Sequence, residues 1–385
     1  MLSVDGPRST SKFYEEERIT LRDGSIHEGA HEPEVKSGPG SLMRPNGDKA
    51  EGIFENGVET GYGKITWSDG SVYQGSLLGG LRSGEGTLIC ADGEKYVGSW
   101  RGDKFHGKGV YSWPDGERHE GEFRLNMMHG YGQHFTPDGV VYEGDFVQGV
   151  KHGFGKMYWP DGKVHEGEYR HGLRHGRGQY IGADGEMYEG TYMNGERNGY
   201  GLASWPDGEF YEGYWKNSKR GGKGKYYWAD GSTHEGEFED GKVHGFGRST
   251  WPNGHVFEGE YRQDKIHGYG KLTATDGETY EGDYYEGMRN GKGKFVSSDG
   301  RIYEGEYARD LRCGQGAMTW PDGAQYKGQY RDDKRQGYGD MVWPGGVHYS
   351  GQWERDKMHG RGKIVFADGR SIEGDWLEGE PVETR

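Results

Sequence analysis

Residues 93–115 read GEKYVGSWRGDKFHGKGVYSWPD. Strand side chains alternate, so Tyr96, Gly98 and Trp100 share one face while Val97 and Ser99 share the other. The second half places Gly109, Tyr111 and Trp113 on one face in the same way. Glycine set between rings opens the strand surface and lets a neighbouring aromatic lie against the backbone. Trp113-Pro114-Asp115 then leads into Gly116, with proline where its fixed φ suits a turn and glycine where positive φ is expected. The connection from Arg101 to Gly107 reads as a longer, charged loop. One unit is therefore a β-hairpin.

The unit recurs without insertion. Turn glycines fall every 23 residues from Gly24 to Gly369, a second glycine follows each five residues later, and a Gly-x-Gly pair closes every interval. Most of the chain's 76 glycines are thereby assigned fixed places. A lone hairpin is marginal in water, so consecutive hairpins must add edge to edge and share their faces. The fold class is all-β: an elongated single-layer antiparallel meander of stacked hairpin repeats, expected to form a continuous rod over residues 16–377. Residues 1–15 and 378–385 read as tails. About 32 strands at ~4.8 Å would give a length on the order of 150 Å.

Hydrophobic residues make up 31% of the 385, but 28 Tyr, 12 Trp and 13 Phe sit at fixed phases, unlike the aromatic-poor composition of disordered chains. One ladder runs through Tyr73, Tyr96, Tyr142 and their equivalents, with His27, His119, His165 and His234 substituting, and a second through Trp100, Phe123, Phe146 and beyond. Trp67, Trp113, Trp159, Trp205, Trp228, Trp251, Trp320 and Trp343 complete a third. A single layer cannot cover both of its faces, so these tryptophans, with Tyr280 and Tyr303, are the candidate protein-binding residues. The opposite face is acidic, with Glu120, Glu143 and Glu166 followed by Glu122, Asp145 and Glu168. Lysines and arginines such as Lys156, Lys225 and Arg248 on the returning strand are expected to pair across strands and offset the carboxylate repulsion.

A formal charge of −15 argues against a general nucleic-acid surface. The local exception is Lys216, Lys219, Arg220, Lys223 and Lys225, a candidate anion or lipid-headgroup contact and otherwise a solvated run. Cys90 and Cys313 lie too far apart in a stacked array to pair, which suits a reducing compartment. The histidines before the Gly-x-Gly pairs, His106 through His359, would stack ~10 Å apart, too far for one metal ion. No motif for a metal, cofactor, nucleotide or catalytic site is present, and the expected cofactor and metal content is none.

The units resemble the MORN, or membrane occupation and recognition nexus, repeat, with its pattern YEGxWxxGxxHGxGxxxxxDG. Tyr96-Val97-Gly98-Ser99-Trp100 with His106-Gly107-Lys108-Gly109 matches it, as does Tyr142-Glu143-Gly144-Asp145-Phe146 with His152-Gly153-Phe154-Gly155. The likeness spans residues 24–376; the first unit departs at His27 and His31, and the fifteenth at Gly345-Gly346. The resemblance is closest to all-repeat members, which implies a non-catalytic scaffold in a cytoskeletal or axonemal, radial-spoke-like assembly. It implies cytoskeletal partners, self-association through sheet edges or terminal repeats, and a cytoplasmic, cytoskeleton-associated or ciliary location. The alternative is a peripheral membrane adaptor binding phosphoinositides.

Overall fold

A computed structural model describes residues 17–29 and 37–382. Among the described residues the secondary structure is 33 antiparallel strands, from Glu17–Thr20 to Glu380–Pro381. The chain divides into two compact units, Met1–Ala183 with Tyr192–Gly195, and Asp184–Thr191 with Glu196–Arg385. Each is a single-layer, open antiparallel meander in which successive strands pair in chain order. His31 and the N-terminal tail lie outside the described residues.

The register explains the glycine period. Gly98 pairs with Gly86 on one side and with Gly109 on the other, and Gly109 pairs in turn with Gly121. A line of glycine thus crosses each unit perpendicular to its strands. The Tyr96 ring lies over this line: a Cβ at Gly109 would meet its hydroxyl at 2.5 Å, and a Cβ at Gly98 would meet the Gly109 backbone at 2.5 Å. The hydroxyl donates to the Ser99 carbonyl at 2.9 Å, and Tyr326 and Tyr349 repeat the bond to Gln329 and Gln352. In most repeats the second ring wedges edge-on between two such residues, with Leu77 an exception. Trp100 sits 5.2 Å from both Tyr73 and Tyr96, and Trp353 sits 5.3 Å from both Tyr326 and Tyr349. Tyr73, Tyr96 and Tyr326 are completely buried as a result. T-shaped packing at this spacing adds to area burial, which lets one layer carry its own core.

Both connections are tight. After Trp113 the backbone closes through Gly116 N–H to Trp113 O (3.2 Å) and Trp113 N–H to Glu117 O (2.9 Å), with Gly116 at φ 94°. Asp115 accepts the Glu117 N–H at 2.9 Å, fixing the turn as expected. The other connection corrects the expectation of a long loop. Strands Lys95–Arg101 and Lys104–Ser112 are joined by Gly102-Asp103 alone, at φ 53° and 64°. Two left-handed central residues are the signature of the hairpin turn whose twist matches the strands. Residues 104–107 belong to a strand with a bulge, where the register shifts between Gly98 and Trp100 and Gly107 takes φ 64°. The chain also continues past Leu377, where a tail was expected, into a Glu378-Gly379 turn and the paired strand Glu380–Pro381.

Histidine replaces the tyrosine in some repeats at the cost of a proton-binding site. His119, His165 and His234 are fully buried, and burial lowers each to about 4 from the usual 6.5. The folded protein binds these protons more weakly than the unfolded chain, so the associated stability is complete above pH ~6.5 and is lost as pH falls toward ~4. Each site is worth up to ~3 kcal/mol. The urea midpoint is expected to fall over this window, and less so in His119→Phe, the residue type found at Phe257. A second prediction concerns the glycine line: Gly109→Ala should lower stability by ~1–3 kcal/mol by displacing the Tyr96 ring. Gly374→Ala, at the phase of Gly98 on the same glycine line but with nothing within 4 Å of its Cβ position, should change the denaturation curve little.

Candidate interaction face

The two faces of each sheet are chemically different, and the ring ladders do not supply the exposed one. Tyr280 and Tyr303, read from sequence as binding rings, are 2% and 0% exposed. Each covers glycines of its own and the next strand, so the structure places both in the core, without ring surface to offer a partner. The third tryptophan ladder, Trp67 through Trp343, lies just beyond strand ends as the first residue of each turn. These side chains are half-buried at the margin of the core: Trp113 packs 4.5 Å from Tyr111, and Trp228 packs 4.8 Å from Tyr226. Arginines cover the ring face further. Arg335 lies 4.3 Å over Trp353 and reaches the next hairpin turn at Asp356 (3.2 Å), and Arg289 and Arg312 do the same with Asp310 and Asp333.

Exposed rings occur on the opposite face, at the middle residue of the Gly-x-Gly pairs. Tyr62, Tyr131, Phe154, Tyr200, Phe246, Tyr269 and Tyr338 are 47–64% exposed. Sequence reading missed them because Glu85, Lys108 and Arg177 interrupt the row. The available signal was parity: a residue between two glycines of the ring face must point to the glutamate face. Tyr131, Tyr200 and Tyr269 donate to Glu143, Glu212 and Glu281, and these bonds to carboxylates raise the phenol pKa of each.

The carboxylates divide into two roles. The first row pairs across strands as expected, through Lys156–Glu166 at 3.0 Å, Lys225–Glu235 at 3.4 Å and Arg248–Glu258 at 2.9 Å. The second row holds the bulge. Glu168, Asp283 and Glu306 accept the backbone N–H of Arg177, Lys292 and Gln315 at 3.0, 2.9 and 3.1 Å. Gln329 and Gln352 make the same bond without a charge, which identifies the acceptor oxygen as the requirement.

The basic stretch is split by the pleat. Arg220 belongs to the ring face, donating to Gly241 O at 2.6 Å and covering Tyr226 at 4.4 Å. Lys219 contacts Asp240, Lys225 contacts Glu235, Lys223 stands opposite Glu237, and Lys216 is exposed. These five residues therefore do not form one cationic surface. One group of metal-capable side chains occurs among the described residues, Cys90 with Asp92 and Glu94. Asp92 there accepts the Glu94 N–H in the turn, Glu94 accepts from Tyr111, and burial keeps the Cys90 thiol protonated, so the arrangement is accounted for by the fold. Among the described residues there is no helix long and apolar enough to cross a membrane.

A family model described as MORN repeat matches the chain in tandem segments from residues 51–72 through 349–369. No curated protein matches. Among solved structures, the chain is similar to the TCP10 domain of Danio rerio CPAP in complex with a STIL peptide, at 12% identity and a TM-score of 0.18, over 75% of this chain and 98% of that one. It is also similar to a streptogramin B lyase, at 11% identity and a TM-score of 0.13, over 80% and 90% of the respective chains. Likenesses at these scores have no bearing on function.

The two ring populations should respond differently to truncation. Trp215→Ala, in the core, should cost ~3–5 kcal/mol. Phe246→Ala and Tyr269→Ala, on the open face, should stay within about 0.5 kcal/mol of the parent in urea denaturation.

Proposed function

Because the chain belongs to the MORN-repeat family, we propose that it is a non-catalytic scaffold whose open face holds protein partners within a cytoskeletal assembly, in the specific form of an axonemal, radial-spoke-like one. The observation that carries this reading is the row of half-exposed rings interleaved with paired charges on a face the fold does not use for its own core. Exposed Tyr and Phe with Arg nearby supply area and directed hydrogen bonds at little entropic cost, the composition of interface anchors. Repetition of the same face along each unit suits a partner that is itself extended. The phosphoinositide-adaptor alternative is less well supported, because Arg220 turns to the ring face and Lys219 and Lys225 are paired with Asp240 and Glu235.

Detergent extraction of cells carrying the tagged full-length chain tests the proposal. The parent should remain with the insoluble skeleton, and the Tyr200→Ser, Phe246→Ser, Tyr269→Ser triple variant should shift at least about tenfold toward the soluble fraction, the loss expected of hot-spot rings. A soluble parent, or a triple variant retained as well as the parent, contradicts it.

A further inference from the structure

Within the second unit the open face carries the same groove twice. One groove, of about 720 Å³, is bounded by Tyr200, Glu212, Lys223, Lys225, Glu235 and Glu237. The other, of about 620 Å³, is bounded by Tyr269, Glu281, Lys292, Lys294, Glu304 and Glu306. Each residue of the second set lies 69 residues after its counterpart, three repeats on, and is of identical type. Adjacent 23-residue repeats do not show this identity: the Gly-x-Gly centre runs Tyr200, Lys223, Phe246, Tyr269, Lys292, Gln315. The three-repeat period therefore belongs to the open face, whereas the core repeats with every unit. Fold stability requires only the shorter period, so the longer one needs another cause.

Resting on the scaffold proposal above, we infer that these two grooves are equivalent docking sites for proline-rich segments in the polyproline II conformation that carry basic side chains. The spacing is the first argument. Equivalent positions on successive repeats are two strands, about 9.6 Å, apart. A polyproline II helix advances about 9.3 Å per three-residue turn, so residues on one of its faces keep step with the repeats. In the first groove Tyr200 and Phe246 stand four strands apart, about two such turns, giving two proline contacts with Lys223 between them. Hydrogen bonding is the second argument. Polyproline II leaves its carbonyls unbonded, and the exposed ammonium groups of Lys223 and Lys292 lie mid-groove as donors. Charge is the third. The second groove holds three carboxylates against two lysines and the first, with Arg248, is balanced, in a chain of net charge −15 whose field favours a basic segment over an acidic one. The floor of both grooves is strand backbone, at Gly213, Gly224 and Gly236 in the first. The first groove adds Tyr214, Tyr227 and Phe246 where the second has Asp283, Val296 and Gln315, so it should bind more tightly.

Calorimetric titration of the full chain with a peptide of Pro-Pro-Arg triplets, against a length-matched peptide of Gly-Ser-Arg triplets, tests this. The proline peptide is expected to bind at least about tenfold more tightly, and Tyr269→Ala is expected to remove one site per chain while Tyr200→Ala with Phe246→Ala removes another. Lys223→Ala and Lys292→Ala, which leave all rings in place, should each weaken binding at one groove. Equal affinity for the two peptides, no binding of the proline peptide, or a stoichiometry unmoved by the ring variants overturns the inference. If the inference fails in any of these ways while the ring variants still release the chain from the detergent-insoluble skeleton, the scaffold proposal stands without it. If those variants leave retention unchanged, the scaffold proposal itself fails.

Discussion

Everything in this sheet depends on the contact between an aromatic ring and a line of glycine backbone. A single β layer has no second layer to bury its apolar face, and ordinary side chains on adjacent strands would hold a ring away from the backbone. Removing Cβ at Gly98 and Gly109 lets Tyr96 lie directly over the strands and donate to Ser99 O. Trp100 then closes the gap to Tyr73, the next ring along. The core is thus assembled from rings against backbone and rings against rings, which is why a chain with 31% hydrophobic residues can fold.

That arrangement frees one face from any duty to the core. The positions alternate with the glycines, so whatever stands at Tyr200, Lys223 or Phe246 is unconstrained by ring packing. Lys–Glu pairs and carboxylate-to-bulge hydrogen bonds satisfy that face electrostatically without covering its rings. Separation of stability from recognition by strand parity lets one repeat carry a constant core and a variable surface, a general advantage of stacked repeat architectures.

The legible part of the sequence was what repeats strictly. The Tyr96 and Trp100 positions, the turn at Trp113 to Gly116, and the Lys156–Glu166 pairing follow from period and alternation. The two-residue turn at Gly102-Asp103 was not legible, because equivalent turns place Leu125, Arg309 and Arg355 at positive φ, residues with no local preference for it. Pairing of the flanking strands imposes the conformation there. The exposed rings were hidden for a different reason: their row alternates with lysine and glutamine, and only the three-repeat comparison of Tyr200 with Tyr269 reveals its order. Tyr280 and Tyr303 were misjudged because a periodic ring was equated with an available one, whereas the glycine line lets the sheet bury rings by itself.

The most direct test of the ring-on-glycine contact is nuclear Overhauser spectroscopy on protein labelled selectively at glycine and tyrosine. Cross-peaks are predicted between the Tyr211 ring and the α-protons of both Gly213 and Gly224, with the same pair recurring for Tyr326 with Gly328 and Gly339. Gly374, which follows Ile372 in place of a ring, should show none. Absence of the cross-peaks at Gly224 and Gly339 in the folded protein would contradict the account.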